Sequence, residues 1–246
     1  MMGATGSARA GPAPLTVAAA QPACTPADVR SNAREHARLI RQAAAHVVVF
    51  PELSLTGYEL GAQAVPPDDP ALAVIAEACR ETGAIALAGA PVAGEAGALH
   101  IAMLLVRSGG TRVAYRKSFL GGAEPGRFAP GGGPVALDID GWRVGLGICK
   151  DTGVQEHIDA TAALGIDLYI AGLVHHAEEL GIQEERAARI ARACNAYVVF
   201  AGFAAPTGGG YARTAGGSSI WSQDGRPIAR AGAEPGDIAR ATLTAG

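Results

Sequence analysis

The run Val47-Val48-Val49-Phe50 is continuously apolar and mostly β-branched, and Pro51-Glu52 follows it directly. A run this short without a polar face predicts a strand that is covered on both of its faces. Such a strand lies inside a layered arrangement of sheets and helices. The sequence therefore predicts an α/β protein with a carboxylate, that of Glu52, at the end of a buried strand.

Helical and strand patterns alternate through the rest of the chain. Thr25-Pro26-Ala27-Asp28 predicts the start of a helix of roughly 18 residues, with Thr25 as its cap. Because hairpin patterns occupy the middle of the chain, we expect mixed sheets flanked by helices, not a purely parallel doubly wound sheet. Further helices are predicted over residues 70–81, 155–164 and 178–195, and strands over 15–20, 47–50, 84–89, 99–107, 111–117, 135–139, 143–148, 167–171, 197–202, 217–222, 227–231 and 238–242.

Composition limits the class of protein. The chain has 246 residues, of which 49% are hydrophobic and 17% charged, enough for one large core. We predict a single domain over residues 14–242 after a disordered Gly/Ala/Pro-rich extension over residues 1–13. The net charge of −3 provides no field that attracts nucleic acid or anionic lipid. Neither a signal-type core nor an apolar run of about 18 residues is present, so we expect a cytoplasmic protein with a small-molecule partner and no membrane partner.

Cysteine and lysine usage singles out individual positions. The four cysteines, at positions 24, 79, 149 and 194, are too scattered for a disulfide framework or paired zinc ligands, so free thiols are expected. Only two of the 20 basic residues are lysines, Lys117 and Lys150. Where lysine persists among arginines, a compact charge with rotatable donors is indicated.

Three chemically distinct side chains, those of Glu52, Lys117 and Cys149, each end a predicted strand. A carboxylate beside a thiol can act as its base, since only about a few per cent of a free thiol is ionised at neutral pH. An ammonium and the backbone N–H of residue 150 can stabilise the oxyanion that forms when sulfur attacks a carbonyl, and one such donor contributes about 2.7–4 kcal/mol. Each residue alone is more often a core cysteine or a solvated charge. Placement at three strand ends is how a rigid scaffold brings side chains to one pocket, and together with the surrounding motifs it predicts a cysteine-nucleophile hydrolase.

Four segments, in order along the chain, carry a resemblance to a known family. They resemble the glutamate, lysine, nucleophile and C-terminal hairpin motifs of the nitrilase superfamily, the carbon–nitrogen hydrolases. The match runs from about Leu15 to Ile238, nearly the whole chain. The segments are Phe50-Pro51-Glu52-Leu53 with Thr56-Gly57-Tyr58, Tyr115-Arg116-Lys117 with Glu124 and Phe128-Ala129-Pro130-Gly131, Gly145-Leu146-Gly147-Ile148-Cys149-Lys150-Asp151, and Gly216-Gly217-Ser218-Ser219-Ile220 with Asp224-Gly225.

The resemblance implies a fold and a mechanism. The fold is a four-layer αββα sandwich that forms homodimers or higher homo-oligomers and uses no metal and no organic cofactor. In the implied mechanism Glu52 takes the proton of Cys149, the thiolate attacks an amide carbon and Lys117 holds the oxyanion. A thioester forms, ammonia leaves, and water hydrolyses the thioester. Glu124 is expected to orient Lys117 or a substrate amino group.

The residues that follow the nucleophile narrow the class of substrate. Lys150-Asp151 stands where true nitrilases have Trp-Glu, which favours a small amide or N-carbamoyl compound over a nitrile. Tyr58 and Lys150 are the candidate substrate-binding residues, and Lys150 is expected either to lower the thiol pKa, to meet an acidic substrate or to lie in solvent. A nitrilase and a catalytically silent binding protein on the same fold stay open. A nucleotide-binding module is disfavoured, because Gly145-Leu146-Gly147 lacks a third glycine.

The stretch around His175-His176 and Glu178-Glu179 is the nearest approach to a metal-binding pattern. Adjacent residues of a strand point to opposite faces, and the H-E-x-x-H spacing is absent. We therefore predict no metal site, and the role of His175 has no assignment from the sequence.

Overall fold

The computed structural model describes residues 12–245, which form two six-stranded sheets with two α-helices on the outer face of each. None of the helices in this part of the chain combines the length and the apolar character that crossing a membrane requires. In chain order the elements are β1 (Leu15–Ala20), α1 (Val29–Ala43), β2 (Val47–Val49), α2 (Ala73–Thr82), β3 (Ile85–Ala93), β4 (Leu99–Arg107), β5 (Gly110–Arg116), β6 (Ala136–Ile139), β7 (Trp142–Ile148), α3 (Gln155–Ala162), β8 (Leu168–Gly172), α4 (Leu180–Cys194), β9 (Tyr197–Ala201), β10 (Ser219–Trp221), β11 (Pro227–Arg230) and β12 (Ile238–Leu243).

The two sheets have the same plan. The first has the strand order β12-β1-β2-β3-β4-β5 and the second the order β11-β10-β9-β8-β7-β6. Strands β1, β2 and β3 run parallel, as do β7, β8 and β9, and the remaining strands of each sheet pair antiparallel. The prediction of mixed sheets flanked by helices is therefore confirmed.

Alternate residues of one strand face different cores. In β2, Val47 and Val49 pack between the sheets, whereas Val48 packs against α1 and α2. In β8, Ile170 packs between the sheets and Tyr169 packs against α3 and α4. The strands are thus covered on both faces, as the apolar run predicts, and burial of one aliphatic side chain contributes about 1.5–3 kcal/mol. The layers are helices, sheet, sheet and helices, which is the αββα sandwich.

The first helix begins later than predicted. Its cap is Asp28, whose carboxylate accepts the backbone N–H of Ser31 at 3.0 Å. Ala27 has a left-handed φ of 55°, which is incompatible with a helix that continues through it. Asp28 and not Thr25 is therefore the cap, and the backbone N–H of Thr25 donates to Oδ1 of Asn32 at 2.7 Å. The helix therefore has 15 residues and starts at the second of two competing cap signals.

The chain contacts the sheets before the predicted domain boundary at residue 14. Residues 1–11 of the predicted disordered extension lie outside the described residues. The carbonyl of Ala13 accepts a hydrogen bond from the Trp142 indole N–H at 2.8 Å. The described structure thus begins slightly ahead of that boundary.

Candidate active site

The turn that carries Glu52 is held between a strand of each sheet. From the first sheet, the Gly89 carbonyl of β3 accepts the N–H of Leu55 at 2.9 Å. From the second sheet, Gly172 of β8 approaches so closely that a Cβ there would lie 2.7 Å from the Phe50 carbonyl oxygen. The Glu52 side chain is consequently fixed in place and is only 1% exposed.

The Gly89→Ala variant is expected to lose about 1–3 kcal/mol of unfolding free energy, because a Cβ overpacks this contact. That atom would lie 2.8 Å from the carbonyl carbon of Glu52 and against the backbone of Leu53 and Pro51. Urea denaturation measures the loss. Gly109→Ala is the matched control, since no atom lies within 4 Å of a Cβ at that position. Equal losses in the two variants would contradict the close approach.

Lys117 directly follows β5 and places its ammonium between two buried carboxylates. Its Nζ donates to Oε1 of Glu52 at 2.6 Å and to the two carboxylate oxygens of Glu124 at 2.7 and 2.8 Å. The three residues are at most 2% exposed. An ammonium has three N–H donors, so all are used here. The double contact with Glu124 allows one donor to turn to another acceptor while a bond to Glu124 remains.

Glu124 is itself held from two sides. The Tyr58 hydroxyl donates to its Oε1 at 2.8 Å, and the Gly121 N–H donates to its Oε2 at 2.8 Å. Glu124 is therefore fixed beside the ammonium of Lys117. Tyr58 lines the adjacent cavity, but its hydroxyl proton is already engaged with Glu124.

Cys149 follows β7 at a sharp corner. Its φ of 39° lies in the left-handed region, where residues other than glycine are strained. A short 3₁₀ helix, Cys149–Gly153, begins there. Cys149 is half-buried and lines the cavity, and its thiol donates to the Val174 carbonyl at 3.4 Å. The corner thus presents sulfur to the cavity.

Asp151 joins this corner to the segment that carries the buried lysine. Its Oδ2 accepts the N–H of Ile148 at 2.9 Å and the hydroxyl of Tyr115 at 2.8 Å, and its Oδ1 accepts the N–H of Phe119 at 2.8 Å. Ile148 immediately precedes the thiol, and Tyr115 and Phe119 each lie two positions from the lysine. Asp151 is not among the site residues predicted from the sequence. A short carboxylate in the first turn after a strand is the available signal, because it accepts exposed backbone N–H groups.

Burial changes the proton equilibria of the cluster. It raises the pKa of Glu52 to about 7, although the Lys117 ammonium opposes this. Burial, reinforced by the Glu52 charge, raises the pKa of the Cys149 thiol to about 12. Burial lowers the pKa of Lys117, but the neighbouring carboxylates outweigh it and raise that pKa overall. At neutral pH the lysine is therefore charged and the thiol is protonated, and Glu52 holds its proton to a higher pH than an ordinary glutamate does.

One oxygen of Glu52 is free to accept a proton. Among the described residues, its Oε2 is buried and has no hydrogen-bond partner. The Cys149 thiol is close enough to act on the pKa of Glu52. An unpaired buried acceptor beside a thiol is the arrangement that proton abstraction needs.

A cavity of about 330 Å³ opens onto the thiol, a volume suited to a small molecule. Glu52 lies behind Lys117 and completes the set of six residues predicted for the site. The predicted residues that line the cavity are Tyr58, Lys117, Glu124, Cys149 and Lys150, and the lining residues that the sequence analysis did not select include Leu60, Val174, Glu179, Arg186 and Tyr211.

The two adjacent histidines have separate contacts. Nδ1 of His175 lies 3.2 Å from Oε1 of Gln183, whereas the ring of His176 stacks on that of Tyr211 with centroids 4.3 Å apart. The N–H of His176 donates to Oε2 of Glu179 at 2.8 Å. Within residues 12–245, no three His, Cys, Asp or Glu side chains are grouped as metal ligands.

Comparisons with known proteins support one family. The family model described as carbon-nitrogen hydrolase matches residues 16–246. The chain is 30% identical over 219 residues to the "hydrolase in pqqF 5′ region" of Pseudomonas protegens, which covers 84% of this chain and 75% of that protein. It is 33% identical over 129 residues to an (R)-stereoselective amidase of Pseudomonas sp., which covers 50% of this chain and 46% of the amidase.

Solved structures share the whole fold. A mutant of the Nesterenkonia AN1 amidase, described as an amidase from the nitrilase superfamily, superposes with a TM-score of 0.82 at 23% identity over 93% of this chain and 90% of that one. A mutant of the amidase from Nesterenkonia sp. AN1 in complex with butyramide gives a TM-score of 0.83 at 24% identity over 93% and 90%. The predicted four-layer αββα sandwich is confirmed.

Proposed function

Because this chain belongs to the carbon–nitrogen hydrolase family of the nitrilase superfamily, we propose that it hydrolyses a small amide or N-carbamoyl compound and releases ammonia. The observation that carries the proposal is the buried cluster of Glu52, Lys117 and Glu124 beside the thiol of Cys149, which faces a cavity. The (R)-stereoselective amidase and the butyramide complex of the Nesterenkonia amidase support an amide as substrate.

In the first half of the proposed reaction, Sγ of Cys149 bonds to the substrate carbonyl carbon while its proton passes to Glu52. Oε2 of Glu52 is the acceptor, since Oε1 is bonded to Lys117. The carbonyl oxygen takes the negative charge, which Nζ of Lys117 and the backbone N–H of Lys150 stabilise. Lys117 can turn one donor to this oxygen and still keep Glu124.

In the second half, the tetrahedral intermediate collapses and the carbon–nitrogen bond breaks. The proton on Glu52 passes to the leaving nitrogen, and a thioester remains on Cys149. Water then attacks the thioester carbon and gives a proton to Glu52. The carbon–sulfur bond breaks, and Glu52 returns that proton to the sulfur. One carboxylate serves as base and acid, a task that a pKa near the working pH favours.

The value of kcat/KM for a neutral amide is expected to fall about tenfold per pH unit below the Glu52 pKa of about 7 and to level off above it. The rate falls toward low pH because Glu52 acts as a base only when it is deprotonated. Burial raises the pKa of Glu52, so this loss begins at a higher pH than it would for an ordinary glutamate. Initial rates between about pH 5 and 9 measure the profile, with the folded fraction checked at each pH. A level profile down to about pH 5 would contradict Glu52 as the base.

Ammonia release over a panel of amides, omega-amides, N-carbamoyl amines and nitriles tests the proposed reaction. Turnover of amides or N-carbamoyl compounds, lost after alkylation of Cys149, supports it. Turnover of nitriles alone would replace it with a nitrilase. A catalytically silent binding protein is indicated if no substrate reacts and iodoacetamide modifies Cys149 no faster than Cys194.

A further inference from the structure

Arg186 of α4 lines the cavity that opens onto the thiol, and a chain of hydrogen bonds holds it there. Its Nη1 donates to Nε2 of His175 at 3.4 Å. Nδ1 of His175 lies 3.2 Å from Oε1 of Gln183, and Nε2 of Gln183 donates to the carbonyl oxygens of Gly216 and Gly217 at 3.2 and 3.1 Å. The chain thus runs from two backbone carbonyls to the guanidinium.

The order of donors fixes the His175 ring. Both N–H groups of Gln183 are used on carbonyls, so its oxygen accepts and Nδ1 of His175 carries the hydrogen. Nε2 of His175 then has the lone pair that accepts from Arg186. Burial, with a contribution from the Arg186 charge, lowers the pKa of His175, so the ring is neutral at neutral pH. His175 is therefore a positioning residue for Arg186.

Among the described residues, no carboxylate oxygen lies within 4.0 Å of the cations of Arg186 or Lys150. Glu179 also lines the cavity, but its Oε2 is turned to the backbone N–H of His176 at 2.8 Å. A Cβ at Gly153 would lie 2.9 Å from Cζ of Arg186, so glycine allows the guanidinium to lie against the backbone. An oriented guanidinium without an anionic partner is suited to bind a carboxylate.

We propose that Arg186, together with Lys150, binds a carboxylate of the substrate, so that the preferred amides carry a carboxylate away from the scissile bond. The inference rests on the proposed amide hydrolysis and adds the class of substrate. The planar fork of Arg186 forms parallel N–H bonds to both carboxylate oxygens, and Lys150 adds a compact charge. A monoamide of a dicarboxylic acid and an N-carbamoyl amino acid both present this chemistry.

Matched substrate pairs test the proposal. Glutaramate and valeramide differ only by carboxylate against methyl, as do N-carbamoyl-β-alanine and propylurea. The ratio of kcat/KM for the charged over the neutral member is expected to be at least about tenfold, and Arg186→Gln should lower it about tenfold, mainly through KM. The pair with the larger ratio shows whether the substrate is a monoamide of a dicarboxylic acid or an N-carbamoyl amino acid. Arg192→Gln, on the same helix but outside the cavity, should leave the ratio unchanged.

Calorimetric binding to Cys149→Ala tests the carboxylate site without turnover. Tighter binding of glutaramate than of valeramide, by about tenfold and lost when Arg186→Gln is added, supports the site. Equal affinities, a ratio that Arg186→Gln does not change, or a preference for an amide with a terminal ammonium would overturn it. If the native enzyme hydrolyses both amides equally, the carboxylate site fails while amide hydrolysis stands. If no amide reacts but glutaramate still binds more tightly than valeramide, the carboxylate site stands while amide hydrolysis fails.

Discussion

Cys149→Ala is expected to lower ammonia release from the best amide by at least about 10³-fold, with the loss mainly in kcat. Sulfur supplies the electron pair that forms the thioester, and a methyl group has none. The cavity and the buried cluster remain, so substrate binding survives. Steady-state ammonia release measures the loss. Mass spectrometry after rapid mixing should show an added acyl mass on the native protein and none on the variant.

Cys194→Ala is the matched control, because this half-buried thiol at the end of α4 is outside the cavity. It should keep turnover within about twofold of native, as expected of a change away from the site. Cys149→Ala should itself unfold within about 1 kcal/mol of native, since it loses one weak S–H contact to Val174. A folded Cys149→Ala that keeps more than about a tenth of native turnover would exclude the thioester route.

Lys117→Met is expected to lower the unfolding free energy by about 3–5 kcal/mol near neutral pH, because it leaves two buried carboxylates without their cation. Lys117 makes the hydrogen bonds from Nζ to Glu52 and Glu124, at 2.6 to 2.8 Å, in a site almost closed to solvent. Methionine has a similar length but no charge. Urea denaturation of the native and variant proteins measures the difference.

The loss should depend on pH in one direction. Burial already raises the Glu52 pKa to about 7 in the native protein although Lys117 opposes it, so removal of the ammonium raises that pKa further. The part of the destabilisation that comes from Glu52 is then small below about pH 7, where both folded proteins hold the Glu52 proton, grows as pH rises above that value and is largest once the folded pKa of the variant is passed. Lys150→Met, at the other lysine, is exposed and should change stability by no more than about 0.5 kcal/mol. Equal losses in both variants, or a loss in Lys117→Met that is independent of pH, would contradict a buried ionic cluster.

Local periodicity explains which elements could be predicted. Val47–Val49 is buried throughout, because alternate side chains enter the core between the sheets and the core under the helices. Prediction failed where two local signals competed. Thr25 and Asp28 are both acceptable caps, and the choice of Asp28 depends on the left-handed turn at Ala27 and on the contact between Thr25 and Asn32.

The residues of the site also divide into those that the local sequence predicts and those that it does not. Glu52, Lys117 and Cys149 can be selected from the sequence because each has reactive chemistry and each follows an apolar strand. Their partners cannot be selected by such a rule. Tyr58 reaches Glu124 across 66 positions, and His175 reaches Arg186 only because one face of α4 lies at the end of β8.

The sequence by itself determined the layered α/β class and the family, and it selected the candidate catalytic residues, since these depend on periodicity within elements and on motifs in a fixed order. Only the tertiary structure decided that Asp151 joins the nucleophile corner to the lysine segment and that His175 holds Arg186 in the cavity. The physical reason is that a strand or helix forms from interactions among neighbours in the chain. A hydrogen bond between distant side chains exists only after sheets and helices have packed and set their distances.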